Sequence, residues 1–256
     1  MPRRRPRWAR PAVVGAGVTL AHYLPSVCVL GQWSPSWVRA LPAGLCRWRG
    51  PARARAVALT FDDGPSPDTT PRTLDLLDEL GMRATFFVLG TQARAHPELV
   101  AEIVRRGHGV GSHGFSHEHH LLRSPRWIRD DLARAVEALD ACGVRTRWFR
   151  PPYGQLTART VLEARRQGME VVLWSAFGHE WAEPDAESVM AHLAPRLEPG
   201  AIVVLHDTEV DAPAGTARRT QGALELLGPV LDDLELAAVS LEELLSGPRP
   251  PRAGRP

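Results

Sequence analysis

An α/β fold built on a parallel sheet is the architecture this sequence predicts, and three observations carry it. Short apolar runs alternate with amphipathic helical stretches from Arg55 onward. Glycines fall just behind the helical stretches, where a left-handed residue closes a helix. Residues able to do chemistry collect after the ends of the runs, the face at which β/α barrels carry their sites. The rhythm alone fits an open doubly wound sheet as well as a closed barrel.

The predicted strands are residues 57–61, 84–89, 109–112, 147–150, 170–175, 202–205 and 235–240. Between the first two, residues 73–80 carry Leu74, Leu77 and Leu80 at helical spacing. Residues 97–106 follow the same rule, with Pro97 suited to a first turn. Helices are also predicted over 125–142, 157–167, 185–197 and 221–233. Gly81, Gly107, Gly143 and Gly168 stand where helix caps should. Residues 207–222 mix Pro, Gly and charge and predict a loop at the active face.

The chain has 256 residues, room for one large domain or two small ones. Its 44% hydrophobic content supports a sizeable core. A net charge of +2 gives no reason to expect a nucleic-acid partner. Cys28, Cys46 and Cys142 have no tight spacing, so they form neither a zinc knuckle nor a disulfide framework.

The chemistry begins at Thr60-Phe61-Asp62-Asp63-Gly64-Pro65. Neighbouring side chains of an extended backbone point to opposite sides, so two adjacent acids can hold different jobs. Asp-Gly is also ordinary turn chemistry, which makes the pair ambiguous by itself. His113 and His117 resolve part of that ambiguity. Four apart, they share one face if the segment is helical, and with one carboxylate they make a set suited to catalytic zinc or another divalent transition metal. His119 and His120 are expected to be loop residues outside that set. Further groups close the later strands: Arg150-Pro151-Pro152-Tyr153-Gly154, then Trp174 with Glu180 and Trp181, then His206-Asp207.

These five groups together resemble the polysaccharide deacetylases with a NodB homology domain, carbohydrate esterase family 4, over about Arg55 to Leu245. The resemblance implies a distorted barrel of seven or eight β/α units. It implies hydrolysis of N-acetyl or related acyl groups on sugars with a divalent metal: zinc, or else cobalt, nickel or manganese. Carried over residue by residue, Asp62 is the general base, and Asp63, His113 and His117 are the metal ligands. Arg150 pairs with the base, and the Tyr153 backbone N–H faces the oxyanion. Leu205 lines the acyl-methyl pocket and His206 is the general acid. Glu180 stands where the family usually has Asp before its Trp, and is expected to reach Arg150 or His206. Phe177 occupies a position where an earlier Asp is frequent. Trp181 is expected to meet the sugar.

Arg3, Arg4, Arg5, Arg7 and Arg10 precede an apolar run over residues 12–30. That order predicts a secretory signal or a membrane anchor, with the enzyme outside the cytoplasm. The absence of a small-x-small cleavage site favours the anchor. The expected organisation is therefore an N-terminal segment and linker over 1–50, a catalytic domain over 51–246 and a disordered tail over 247–256. The expected substrate is an N-acetylated glycan of a cell wall. The alternatives are a lipid-linked amino sugar or small amide, or a catalytically silent glycan-binding module.

Overall fold

The computed structural model describes residues 44–155 and 157–246. The expected membrane segment at 12–30 and the tail at 247–256 lie outside the described residues. Among the described residues no helix is long and apolar enough to cross a membrane.

Eight parallel strands form one sheet: β1 (Ala56–Asp62), β2 (Thr85–Val88), β3 (Gly109–Ser112), β4 (Trp148–Phe149), β5 (Glu170–Val171), β6 (Ala176–Phe177), β7 (Ile202–His206) and β8 (Ala237–Val239). Their order is β5-β4-β3-β2-β1-β7-β6, with β8 against the first half of β1. The helices are α1 (Thr70–Glu79), α2 (Gly90–Ala95), α3 (Pro97–Arg105), α4 (Pro125–Ala141), α5 (Ala158–Arg166), α6 (Ala186–Leu193), α7 (Thr216–Asp233) and α8 (Leu241–Ser246). The sheet curls into a partial barrel, with β5 and β6 at the two ends of the strand order. Arg47 and Arg49 bridge to Val172 and Ala201 across that opening.

Alternation along the strands sorts core from site. Val57, Leu59 and Phe61 of β1, and Val203 and Leu205 of β7, join the cluster packed against the helices. Ala58, Phe87 and Ile202 point the other way and meet Leu241 and Leu244 of α8, which plugs the base of the barrel. The same inner face carries Thr60, Asp62, Val204 and His206 upward to the strand ends.

Several expectations hold. Gly81, Gly107, Gly143 and Gly168 all take positive φ, between 64° and 83°. Ser124 caps α4 by accepting the Trp127 N–H, and Asp185 caps α6 by accepting the Ser188 N–H. Others need correction. Of the predicted strand 170–175 only β5, Glu170–Val171, is strand, paired with β4; β6 follows at Ala176–Phe177, beyond the predicted run, and pairs with β7 at the far end of the sheet. The chain must cross the opening between them. The predicted loop 207–222 stops at Gly215, whose left-handed backbone (φ 83°) starts α7 at Thr216. The helix α2 was not anticipated; it is one and a half turns with little apolar repeat.

Candidate active site

Asp62 ends β1, and His206 ends β7; the two are register partners on adjacent strands. The chain turns immediately after Asp62, with Asp63 at φ 73°, a region that Asp tolerates better than most residues. That turn sends consecutive carboxylates to different partners. Asp62 Oδ1 accepts from Arg150 Nη1 at 2.7 Å. Arg150 is fully buried, lies over the Phe87 ring, and also donates to Thr60 Oγ1 at 2.7 Å and to the Leu173 carbonyl. Each nitrogen of this enclosed guanidinium has an acceptor, the Val172 carbonyl taking Nε, and the group fixes Asp62 in turn.

Asp63 faces the imidazoles. Its Oδ1 lies 3.2 Å from His113 Nε2 and 3.3 Å from His117 Nε2. The two histidines do not sit on a helix, contrary to the condition placed on their spacing. Gly114 between them has φ 86°, and the segment is a loop following β3. His113 Nδ1 donates to the Arg150 carbonyl at 2.8 Å, which leaves the Nε2 lone pair aimed at a carboxylate oxygen. Two acceptors face one another there, an arrangement that a cation between them relieves. Asp63 Oδ1 is moreover a buried atom with no hydrogen-bond partner. Among the described residues, Asp63, His113 and His117 offer ligand atoms that all lie within 4.8 Å of one another. One carboxylate and two neutral imidazoles suit a divalent transition metal. Burial pushes His117 down to about 4, so it is neutral and able to ligate at pH 7. Burial pushes the Asp63 carboxyl up, but His113, His206 and His117 outweigh it and hold the group well below the usual carboxylate range.

His206 Nδ1 donates to Glu180 Oε1 at 2.5 Å, and Glu180 is fully buried. The longer acid thus reaches His206 and not Arg150. Burial works against the imidazolium, yet the Glu180 charge and hydrogen bond, with Asp63 and Asp62 beyond, raise His206 to about 10. Arg219 steadies Glu180 by donating to its backbone carbonyl at 2.5 Å. Asp207 turns away from the cleft and accepts from Thr70 at 2.5 Å, tying the end of β7 to the start of α1.

These groups open onto a cleft of about 220 Å³. Tyr153, Gly154, Trp174, Phe177 and Trp181 line it, so Phe177 builds an aromatic wall at the position where the resembled family frequently has an Asp. Trp181 stands edge-on to His206 with ring centroids 5.5 Å apart. Tyr153 has φ 57°, an uncommon backbone for a bulky residue. Its ring packs on His117 and stacks on His119 at 3.6 Å. His119 is thus a rim residue, and His120 is buried in a one-turn 3₁₀ helix beside Thr160, not in a loop.

One expected wall is misplaced by a residue. Leu205 belongs to the core behind the sheet, whereas Val204 lines the cleft. Because strand side chains alternate, the inward His206 puts Leu205 outward and Val204 inward. Asp211, Ala212 and Pro213 of the loop after β7 also line the cleft, and no motif marked them individually.

Residues 49–172 match the family described as polysaccharide deacetylase. A peptidoglycan-N-acetylglucosamine deacetylase of Bacillus cereus is 32% identical over 206 residues, covering 80% of this chain and 94% of the relative. A chitooligosaccharide deacetylase of Bradyrhizobium sp. is 37% identical over 155 residues, covering 60% of this chain and 71% of the relative. A crystal structure of a peptidoglycan N-acetylglucosamine deacetylase bound to a naphthalenyl N-oxidanyl-benzamide superposes with a TM-score of 0.75. It is 30% identical, and the match covers 84% of this chain and 98% of that one.

Proposed function

The chain belongs to the polysaccharide deacetylase family, and we propose that its cleft removes the N-acetyl group from an amino sugar of peptidoglycan or a chitin-like oligosaccharide, using one divalent cation, zinc in preference. The observation that carries the proposal is the meeting of five side chains from three strand ends: Asp62, Asp63, His113, His117 and His206. Asp63, His113 and His117 are the groups that would hold the cation. When bound, such an ion polarises the acyl carbonyl and makes water more acidic.

The remaining work falls to the protein's own groups. Asp62, oriented by Arg150, accepts the proton of the attacking water. The Tyr153 backbone N–H donates to the oxygen of the acyl carbonyl as negative charge builds on it; one such donor is typically worth about 3–4 kcal/mol. His206, charged through its contact with Glu180, gives its proton to the departing amine. Trp181 and the other aromatic rings of the cleft meet the apolar faces of the sugar, and Val204 meets the acyl methyl. A silent binding module would have no use for base, acid and ligand set together, so an active enzyme is the better reading. The basic and then apolar order of the N-terminal sequence supports an activity outside the cytoplasm, with residues 12–30 as its anchor.

The test compares N-acetylated chitooligosaccharides, peptidoglycan fragments, a lipid-linked amino sugar and a small acetamide, each with added zinc or cobalt, by release of free amine. The proposal expects turnover on the glycans and little on the small amide. Binding without turnover at any metal loading would assign the chain to the silent class.

A further inference from the structure

The two histidines of the proposed metal set are held differently. His113 has its Nδ1–H fixed by the Arg150 carbonyl at 2.8 Å. His117 presents Nε2 to Asp63 in the same way, yet its Nδ1 is buried without a hydrogen-bond partner. The carboxylate beside that atom is Asp211, with Oδ2 at 3.7 Å. It comes from the loop between β7 and α7, some ninety positions away in sequence from His117. Metal-bound imidazoles almost always donate their second N–H to a carboxylate, carbonyl or water, which sets the tautomer and strengthens the ligand.

We infer that Asp211 is a positioning residue that accepts the Nδ1–H of His117, holds Nε2 toward the cation, and thereby ties the 207–215 loop to the metal centre. This rests on the metal reading given above. The loop does not need Asp211 for its own shape. The Val210 N–H donates to Thr208 Oγ1 at 3.0 Å, the Gly215 N–H donates to Glu209 Oε1 at 2.6 Å, and Thr216 Oγ1 donates to the Pro213 carbonyl at 2.6 Å. Asp211 is therefore free to be spent on the site. Its neighbours Ala212 and Pro213 line the cleft, so closing the 3.7 Å gap draws the rim inward over the substrate position.

The experiment titrates the full-length protein and its Asp211→Ala and Asp211→Asn variants with Co²⁺ against a competing chelator, and records the cobalt visible band. Asp211→Ala is expected to bind Co²⁺ about 10–100-fold more weakly with a shifted band. Asp211→Asn, whose amide oxygen still accepts, should recover most of the affinity. Equal affinity and an unchanged band in Asp211→Ala would overturn the inference while leaving the metal site standing. A wild type that takes up no Co²⁺ would instead remove the metal site itself, and the inference with it. The metal-free melting temperature separates orientation from scaffolding: a drop in Asp211→Ala matching its affinity loss would make Asp211 a loop brace and refute the assignment.

Discussion

Glu180 Oε1 lies 2.5 Å from His206 Nδ1, and no part of Glu180 reaches solvent. A buried carboxylate bonded to an imidazole keeps that ring charged, and a charged ring is what a departing amine needs. Glu180→Gln keeps the shape and removes the charge. His206 then titrates at lower pH, so the alkaline arm of the rate profile should move toward acid and the rate at pH 8 should fall by about 10-fold or more. The same pair leaves a mark on stability. Because the folded pKa of His206 is raised, to about 10, its contribution is complete below about pH 6.5 and is lost as pH rises through the folded value. Metal-free wild type should therefore lose its stability advantage over Glu180→Gln between those limits, as thermal melts across pH will show.

Arg150→Met leaves the buried Asp62 carboxylate without its partner. Removing one member of a buried pair costs about 3–5 kcal/mol, so denaturant unfolding should register a loss of that order. The mirror variant, Asp62→Asn, keeps a neutral acceptor for Arg150. That still leaves a buried guanidinium without its counter-charge, so the variant should lose stability of the same order as well as turnover.

Val204 and Leu205 offer a paired test on one strand. Leu205→Ala cuts into the core and should destabilise by about 2–5 kcal/mol with acyl preference unchanged. Val204→Ala enlarges the cleft. It should raise the rate on N-propionyl relative to N-acetyl substrate by about 10-fold or more, since a methylene in an apolar pocket is worth about 1–3 kcal/mol.

Asp63→Ala and His206→Ala should fail in different ways. The first loses bound metal together with activity. The second retains the metal and loses turnover by about 10²–10⁴-fold. Metal analysis beside acetate release distinguishes them, and a fully active His206→Ala protein would remove that residue from the mechanism.

Most of the barrel was legible because its strands are apolar runs and its helices end at glycines, and both signals are local. The chemistry was legible for a related reason: it sits in short blocks at strand ends. What escaped was set by tertiary contact. The early end of the strand predicted over 170–175, and the start of β6 beyond it, follow from which neighbour each short strand pairs with, and that depends on the curl of the sheet. The resemblance puts Leu205 in the pocket because a motif names a block and not a face; the orientation of His206 decides which side each neighbour takes. Asp211 carried no local mark, since its value comes from a histidine on a distant loop. Glu180 shows the opposite case, where one extra methylene left two partners open and packing chose His206.

The most direct test strips the protein with chelator and returns Zn²⁺ in measured steps while acetate release is followed on an N-acetylated glycan. Turnover should vanish on stripping and climb in proportion to added zinc, levelling at one equivalent per chain. Undiminished turnover by the fully stripped protein would contradict a reaction built around Asp63, His113 and His117.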